Sequence, residues 1–378
     1  MLVACTENKE PFVIHSKISH ATLRRLKEEK KFFCPQCGEM VQLKIGNIKI
    51  PHFAHYFKSR CESHFSEGET VEHLSGKQQL FELFKSLQLH AELEPYLKEL
   101  KQRPDLLIFK NGSAYAIEFQ CSPINENRFF ERNRGYLQKR IAPIWIPLTP
   151  GQKIKETPLQ KINLSHQLQL FIAHAQKPKY LMTYDPANKQ FVYLSNLIHF
   201  KGISFFGKVS RLPLFKQHFP FYIPKPLTKD EFSFVFKAYH HFIKQFLKSR
   251  VLVSRKGVND LFLRSVYELR LNPGQLPTFL GVPISGNEAL QACAVEWQTE
   301  LLYFIRLNGI KVHAVNEQMI KDFFQWSGRA DTDGAVQTVF QYVELLNELA
   351  IEDEKCPVKE RHLEEVLYSQ FLATTGKY

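Results

Sequence analysis

Residues 103–120, which read RPDLLIFKNGSAYAIEFQ, decide the fold of this chain. Two apolar runs flank Asn111-Gly112, a dipeptide typical of a tight hairpin turn, so we predict two antiparallel strands here. Asp105 opens the first strand and Glu118 lies near the end of the second. Carboxylates on neighbouring strands can converge on one sheet face and share a divalent cation, and Mg²⁺ and Mn²⁺ prefer such oxygen ligands.

The segments on either side of this hairpin predict a compact α/β unit. Residues 68–89 carry apolar side chains at three- and four-residue steps, which indicates a helix with one wide apolar face. A polar helix is expected over 125–139 and an apolar strand over 141–147, where prolines favour a sheet edge. The order helix, strand, strand, helix, strand gives a predicted domain over residues 69–150.

The two acids have a chemical reason to lie together. An unpaired charge in the otherwise apolar strand of Glu118 costs several kcal/mol, so we expect a cation beside it. The motif resembles that of the PD-(D/E)XK (restriction-endonuclease-like) nuclease superfamily. The resemblance implies that Asp105 and Glu118 bind Mg²⁺ or Mn²⁺ and that a helix acid completes the site. Glu72 matches that acid, with Glu69 as the alternative.

Gln120 departs from this motif, because it stands where the superfamily usually has Lys. An amide carries no charge and cannot act as a base, so it can only orient water by hydrogen bonding. Lys77 or a base from the following helix could compensate. Lys77 shares one helix face with His73, from which both could reach phosphate. The helix after the hairpin carries four residues suited either to DNA contact or to an ordinary surface: Arg128, Arg132, Arg134 and Tyr136.

A Cys/His pattern precedes this domain. Cys34 and Cys37 are followed by His52 and His55, giving Cys-x2-Cys-x14-His-x2-His, a ligand set suited to tetrahedral Zn²⁺. We therefore predict a zinc-ribbon-like module with a structural rather than a catalytic zinc within an N-terminal segment, residues 1–68. Cys61 and His64 are reserve ligands, and the alternative is two free cysteines with exposed histidines.

The charge of the chain favours a polyanionic partner. The formal net charge is +12, and residues 151–250 hold 16 Lys and Arg against 4 Asp and Glu. Aromatic rings alternate with lysines at Phe200-Lys201, Phe205-Phe206-Gly207-Lys208 and Phe215-Lys216. Such a pattern suits a surface that follows a nucleic-acid strand, and a solvated basic face is the alternative.

Pro147, Pro150 and Gly151 indicate a boundary, after which a third region, 151–378, is basic and aromatic and then largely helical. We predict a hairpin from 180–184 and 190–194, a helix with a capping box from 228 to about 248, and helices at 258–271, 287–308, 313–326 and 334–351. The sequence shows neither a signal peptide nor a membrane span, and only one closely spaced cysteine pair among seven, so we expect a cytoplasmic protein.

Five motifs together resemble the competence protein CoiA family: Cys34–Gly38, Pro51–His55, Glu72–Leu74, Arg103–Asp105 and Ile117–Gln120. The resemblance covers roughly residues 1–150. It implies a bacterial protein of natural transformation and homologous recombination that hydrolyses phosphodiester bonds in single-stranded or branched DNA, beside the strand-exchange recombinase. One alternative is a non-catalytic DNA-binding recombination mediator that keeps a nuclease fold, and a third possibility is an RNA-processing enzyme.

Overall fold

The structure, a computed structural model, describes residues 1–46, 48–56, 61, 69–151, 159–173 and 178–373. Three β-sheets follow one another along the chain, and helices form the C-terminal third. The chain is therefore a mixed α/β protein with a helical C-terminal region, as the sequence predicts. In the described part of the chain, no helix combines the length and the apolar character needed to cross a membrane.

The N-terminal module is a five-stranded sheet beside one helix. Its elements are β1 (Val3–Thr6), β2 (Pro11–Val13), α1 (His20–Glu29), β3 (Phe32–Phe33), β4 (Met40–Lys44) and β5 (His52–His55), with the strand order β2-β1-β3-β4-β5. Ser19 caps α1 by accepting a hydrogen bond from the backbone N–H of Thr22. The rings of Phe12, Phe32 and Phe53 pack together in its core.

The nuclease-like unit follows. It consists of α2 (Val71–Ser86), β6 (His90–Leu93), β7 (Leu106–Lys110), β8 (Ser113–Gln120), α3 (Glu126–Gln138) and β9 (Ile141–Pro147), with the strand order β6-β7-β8-β9. Asn111 and Gly112 have φ values of 48° and 76°, as a tight hairpin turn with two left-handed residues requires. β9 is parallel to β8 and lies at the sheet edge. The unit matches the prediction except for β6, which was not predicted.

The two faces of this sheet pack against different partners. On β8, Ile117 and Phe119 join the core that contains α2, while Ala116 packs with Tyr136 of α3. The ring of Phe119 fills the space beside Gly76, where an added Cβ would lie 2.1 Å from a ring carbon. Because side chains alternate along a strand, Glu118 lies on the α3 face.

A second antiparallel sheet continues the core of this unit. It contains β10 (Leu159–Asn163), β11 (Tyr180–Asp185), β12 (Gln190–Lys201) and β13 (Ser204–Pro213) in the order β10-β13-β12-β11, with the short helix α4 (His166–Gln169) between β10 and β11. The predicted hairpin, β11 and β12, is confirmed. Tyr184, Phe191 and Tyr193 belong to the same buried cluster as Phe119.

Burial corrects the prediction for the aromatic residues of this sheet. Phe200, Phe205 and Phe206 are exposed by only 2%, 1% and 4%. These rings form protein cores and cannot stack on bases, whereas Phe215 is 81% exposed. Phe205 and Phe206 are consecutive and both buried, so the strands here are covered on both faces of the sheet.

The C-terminal helices form one core. They are α5 (Lys229–Val253), α6 (Leu261–Glu268), α7 (Ala294–Leu307), α8 (Glu317–Ser327), α9 (Asp333–Glu348) and α10 (Glu360–Ala373). The predicted capping box, Thr228 with Glu231, opens α5. Trp297 and Tyr342 are fully buried and meet at 5.2 Å between ring centroids. The helical prediction is confirmed, although α10 was not predicted.

Candidate nuclease-like cleft and Cys/His cluster

A cleft of about 300 Å³ opens where β7, β8, α2 and α3 meet. Six of the predicted residues line it: His73, Asp105, Glu118, Gln120, Arg128 and Arg132. Four others do not line it: Glu72, Lys77, Arg134 and Tyr136.

Asp105 lies directly before β7. Its carboxylate has three neighbouring groups: the backbone N–H of Phe119, the ring of His73 and the ammonium of Lys77. Its Oδ2 accepts a hydrogen bond of 2.8 Å from the backbone N–H of Phe119 and lies 3.3 Å from Nε2 of His73. Burial alone would raise the pKa of Asp105, but His73 and Lys77 lower it to about 2. Asp105 is therefore ionised at neutral pH, as a ligand for a hard cation must be.

Glu118 is buried against α3, where Arg132 and Tyr136 both donate hydrogen bonds to its Oε1. Burial raises the pKa of Glu118, and the neighbouring Arg132 guanidinium opposes this shift. The cation expected beside this acid is thus supplied by the protein. Tyr136 is fully buried, which corrects its assignment as a DNA contact, and Arg132 lines the cleft as the partner of Glu118.

Lys77 is buried beneath the cleft with 1% exposure. Its ammonium donates hydrogen bonds to the carboxylates of Glu69 and Glu94, and it lies 3.7 Å from Oδ1 of Asp105. Burial alone would lower the pKa of Lys77, but these acids raise it above its ordinary value. The prediction that Lys77 reaches phosphate is therefore wrong in this arrangement, because the ammonium neutralises buried acids instead.

The acid beside Asp105 is Glu69, the less favoured of the two sequence candidates, which lies directly before the α2 cap residue Thr70. Glu69 lines the cleft and lies 3.5 Å from Nδ1 of His73, whereas Glu72 is exposed and outside the cleft lining. Burial would raise the pKa of Glu69, but Lys77 and other cationic neighbours lower it well below its usual range. His73 thus lies between two carboxylates that face both of its ring nitrogens, rather than presenting either nitrogen to phosphate.

The arginines that line the cleft differ from the predicted ones at two positions. Arg128 lines the cleft as predicted, whereas Arg134 is exposed and outside its lining. Arg103, which sequence reasoning did not single out as a site residue, lines the cleft and is 7% exposed. Its position two residues before Asp105 was the signal that could have identified it.

The Cys/His cluster consists of Cys34, Cys37, His55 and Cys61, whose ligand atoms all lie within 4.8 Å of one another. Cys37 Sγ and His55 Nε2 are 3.4 Å apart. Three sulfur ligands and one imidazole nitrogen form a set that suits tetrahedral Zn²⁺. The cluster therefore fits a structural zinc.

Cys61 takes the place that sequence analysis gave to His52. Nδ1 of His52 lies 2.9 Å from the carbonyl oxygen of Ile50 instead. His52 and His55 are three residues apart on β5, and residues an odd number apart on a strand point to opposite faces. Only one of the two histidines can therefore point into the cluster from this strand. The other reserve ligand, His64, lies outside the described residues.

A sheet with one parallel edge strand, helices on both faces and two acids at adjoining strand ends defines a nuclease-like protein of the PD-(D/E)XK class. The family model described as "Competence protein CoiA, nuclease-like domain" matches residues 69–225, and "Competence protein CoiA, N-terminal domain" matches residues 15–64. Competence protein CoiA of Bacillus subtilis (strain 168) is 30% identical over 280 residues, which cover 74% of this chain and 73% of that protein. The chain belongs to the competence protein CoiA family. No solved structure matches it.

The matched nuclease-like domain extends to residue 225, beyond the boundary expected at 150. The structure gives a physical reason for this extent. Tyr184 and Phe191, from the sheet of β10 to β13, share a buried cluster with Leu74 and Phe119. Gln79 on α2 also accepts a hydrogen bond of 2.5 Å from the hydroxyl of Tyr184.

Proposed function

We propose that this protein is a metal-dependent deoxyribonuclease of natural transformation, which hydrolyses phosphodiester bonds in single-stranded or branched DNA. The observation that supports this proposal most strongly is that Asp105 and Glu118, on adjacent strands, line one cleft together with Arg128. We place the protein in the cytoplasm, beside the recombinase that exchanges strands of incoming DNA.

The cleft residues fit a hard divalent cation through oxygen ligands. Asp105 is ionised at neutral pH. Both hydrogen-bond donors to Glu118 meet the same oxygen, Oε1, so Oε2 is the atom through which Glu118 would reach Mg²⁺ or Mn²⁺. Such a cation, when bound, lowers the pKa of a coordinated water and offsets charge on the phosphate.

The remaining cleft residues have separate roles in this proposal. Arg128 and Arg103, which line the same cleft as the acids, attract the phosphate. Gln120 positions the attacking water through its side-chain amide, which lies at the cleft wall and donates a 2.6 Å hydrogen bond to the carbonyl of Ser122. Glu69 and His73 fix the orientation of Asp105, and Lys77 neutralises the acids beneath it.

We also propose that Cys34, Cys37, His55 and Cys61 hold a structural Zn²⁺. The cluster lies among short strands, where a metal provides folding free energy that a small core cannot.

A second candidate function is favoured by one specific contact. Glu118 already has a full counter-charge in Arg132, and Gln120 supplies no positive charge to the cleft. Both features suit a DNA-binding recombination mediator that has kept the nuclease fold without cleavage.

One experiment separates the two candidates. Purified full-length protein is incubated with labelled single-stranded DNA, branched DNA and RNA, in Mg²⁺, in Mn²⁺ and in EDTA. The matched variants are Asp105→Asn, which keeps an oxygen for the Phe119 N–H, and Arg134→Ala outside the cleft. The nuclease proposal expects metal-dependent cutting of DNA that Asp105→Asn abolishes and Arg134→Ala retains. Binding without cutting under all conditions supports the mediator, and preferential cutting of RNA overturns the choice of DNA.

A further inference from the structure

A second charged surface lies on α5, outside the nuclease-like cleft. No Asp or Glu occurs between Phe232 and Asn259, a segment that spans most of this helix. Lys237, Lys244 and Lys248 are exposed, and their spacing of seven and four residues puts them in one stripe along the helix. The same helix buries its opposite face in the C-terminal core. The stripe is therefore a fixed row of cations on a rigid element.

Two more lysines flank α5 on its other side. Lys161 of β10 lies over the rings of Phe200 and Phe242, at 5.3 Å and 5.1 Å from their centroids. Lys201 of β12 lies 4.7 Å from the centroid of Phe246. No carboxylate among the described residues comes within ion-pair distance of either ammonium. Burial and the charge of Lys201 lower the pKa of Lys161, so the charged form of Lys161 gains from an added anion.

A groove of about 270 Å³ with aromatic walls lies between α5 and the strands β10 and β13. Phe234, Ala238 and Phe242 follow one another at four-residue steps on α5 and line it together with Lys161. Phe234 is 61% exposed, in contrast to the buried rings of β12 and β13. An exposed ring beside unneutralised lysines offers stacking to a base and charge to its phosphate.

We propose that this surface, formed by α5 with Lys161 and Lys201, is a second binding site that takes single-stranded DNA. Single-stranded DNA fits better than duplex DNA, because a ring in a groove can stack only on a base that is not already stacked on both sides. The strand lies along α5 with phosphates on the lysines and a base against Phe234. The inference shares with the proposed function only the choice of DNA as ligand, and it does not require cleavage.

The test measures binding of a fluorescent oligo(dT) to the full chain in buffer without Mg²⁺ or Mn²⁺, over a range of salt concentrations. Lys161→Ala/Lys201→Ala is expected to weaken binding roughly tenfold and to reduce the slope of log K against log salt by about 1.4, since each phosphate contact on a single strand contributes about 0.7. Lys161→Arg/Lys201→Arg keeps both positive charges, so its affinity and its salt slope should equal those of the wild type. The control Lys355→Ala/Lys359→Ala removes two exposed lysines that lie among acidic residues, and it should leave both values unchanged.

The aromatic contribution has its own matched pair. Phe234→Ala should weaken binding about five- to tenfold, as loss of one stacked base does. Phe215→Ala removes a ring that is even more exposed than Phe234, and it should have no effect. Phe215 lies near the end of β12 that is opposite to Lys201. Equal losses in the two Phe variants, wild-type affinity in the Lys161→Ala/Lys201→Ala variant, or binding to anionic phosphatidylserine vesicles in place of oligo(dT) would each overturn the inference. Cutting of DNA by the Lys161→Ala/Lys201→Ala variant, measured separately with Mn²⁺, reports on the cleft alone.

Discussion

Glu118 and Arg132 form a buried ion pair that joins β8 to α3 at the wall of the cleft. The hydroxyl of Tyr136 donates to the same carboxylate oxygen, so one acid organises two residues of the helix. Because the pair is almost completely removed from water, each charge depends on the other for its stability. The position of α3, and of Arg128 on it, therefore depends on this contact.

Replacing Arg132 by Ala is expected to lower the free energy of unfolding by about 3–5 kcal/mol, because Glu118 is left buried without a counter-charge. Urea denaturation followed by circular dichroism measures the change. Arg134→Ala on the same helix is the control and should stay within about 0.5 kcal/mol of wild type, since Arg134 is exposed. Similar losses in both variants would contradict the role of the buried pair.

The zinc ligands can be distinguished by metal content. Cys61→Ala should lose bound zinc and the associated thermal stability, because it removes one of four ligands. His52→Ala should retain one zinc per chain, since its ring contacts Ile50 rather than the cluster. Elemental analysis of the purified proteins gives the answer, and zinc loss in His52→Ala with retention in Cys61→Ala would favour the ligand set predicted from sequence.

Acid should destabilise the protein through the groups around Lys77. Burial opposes ionisation of Glu94, but Lys77 lowers its pKa below the usual 4.5, and the pKa of Asp105 is about 2. Because these pKa values are lower in the folded than in the unfolded protein, both carboxylates add to the free energy of unfolding at any pH above their unfolded pKa values. This contribution is lost as the pH falls from about 4.5 to about 2. Urea midpoints across this range should show the loss.

Glu94→Gln is the matched test of that pH dependence. The variant should be less stable at neutral pH, because Lys77 loses one of its buried partners, and its stability should fall less steeply in acid. Glu99→Gln, at an exposed pair with Lys139, should leave the acid profile unchanged. An unaltered profile in Glu94→Gln would show that the pKa of this carboxylate does not differ between the folded and unfolded states.

Two glycine variants test how closely two helices pack on their neighbours: Gly76 lies on α2 and Gly135 on α3. Gly76→Ala places a methyl group into the ring of Phe119, and overpacking of this kind costs about 1–3 kcal/mol. In Gly135→Ala the new Cβ meets only the amide end of Gln102, which can move, so the gain in helix propensity of up to about 1 kcal/mol should dominate. Thermal denaturation of both variants should therefore give shifts of opposite sign.

Local signals made the nuclease-like unit predictable from the sequence. Asn111-Gly112 fixed the hairpin, and the apolar periodicity before it identified α2. β6 was missed because it has only four residues directly after a helix, too short for alternation to be recognised. The capping box at Thr228 identified the start of α5 from four residues alone.

The site was predictable in its residue types but not in its contacts. The motif identified Asp105 and Glu118, yet helix periodicity could not decide between Glu69 and Glu72, because Glu69 lies before the cap residue Thr70. Burial decided the roles of Lys77 and Tyr136, and burial depends on tertiary packing that no local pattern contains. The odd spacing of His52 and His55 on one strand indicates that they point to opposite faces. The prediction instead took both as ligands, because together with Cys34 and Cys37 they complete a set of four.

The shared aromatic cluster of Phe119, Tyr184, Phe191 and Tyr193 sets a limit on how the protein can be shortened. A fragment ending near residue 150 would expose the apolar side of α2 and β8 to water and tend to aggregate, so failed expression of such a fragment would say nothing about chemistry. Fragments for assay or crystallisation should therefore extend at least to residue 225.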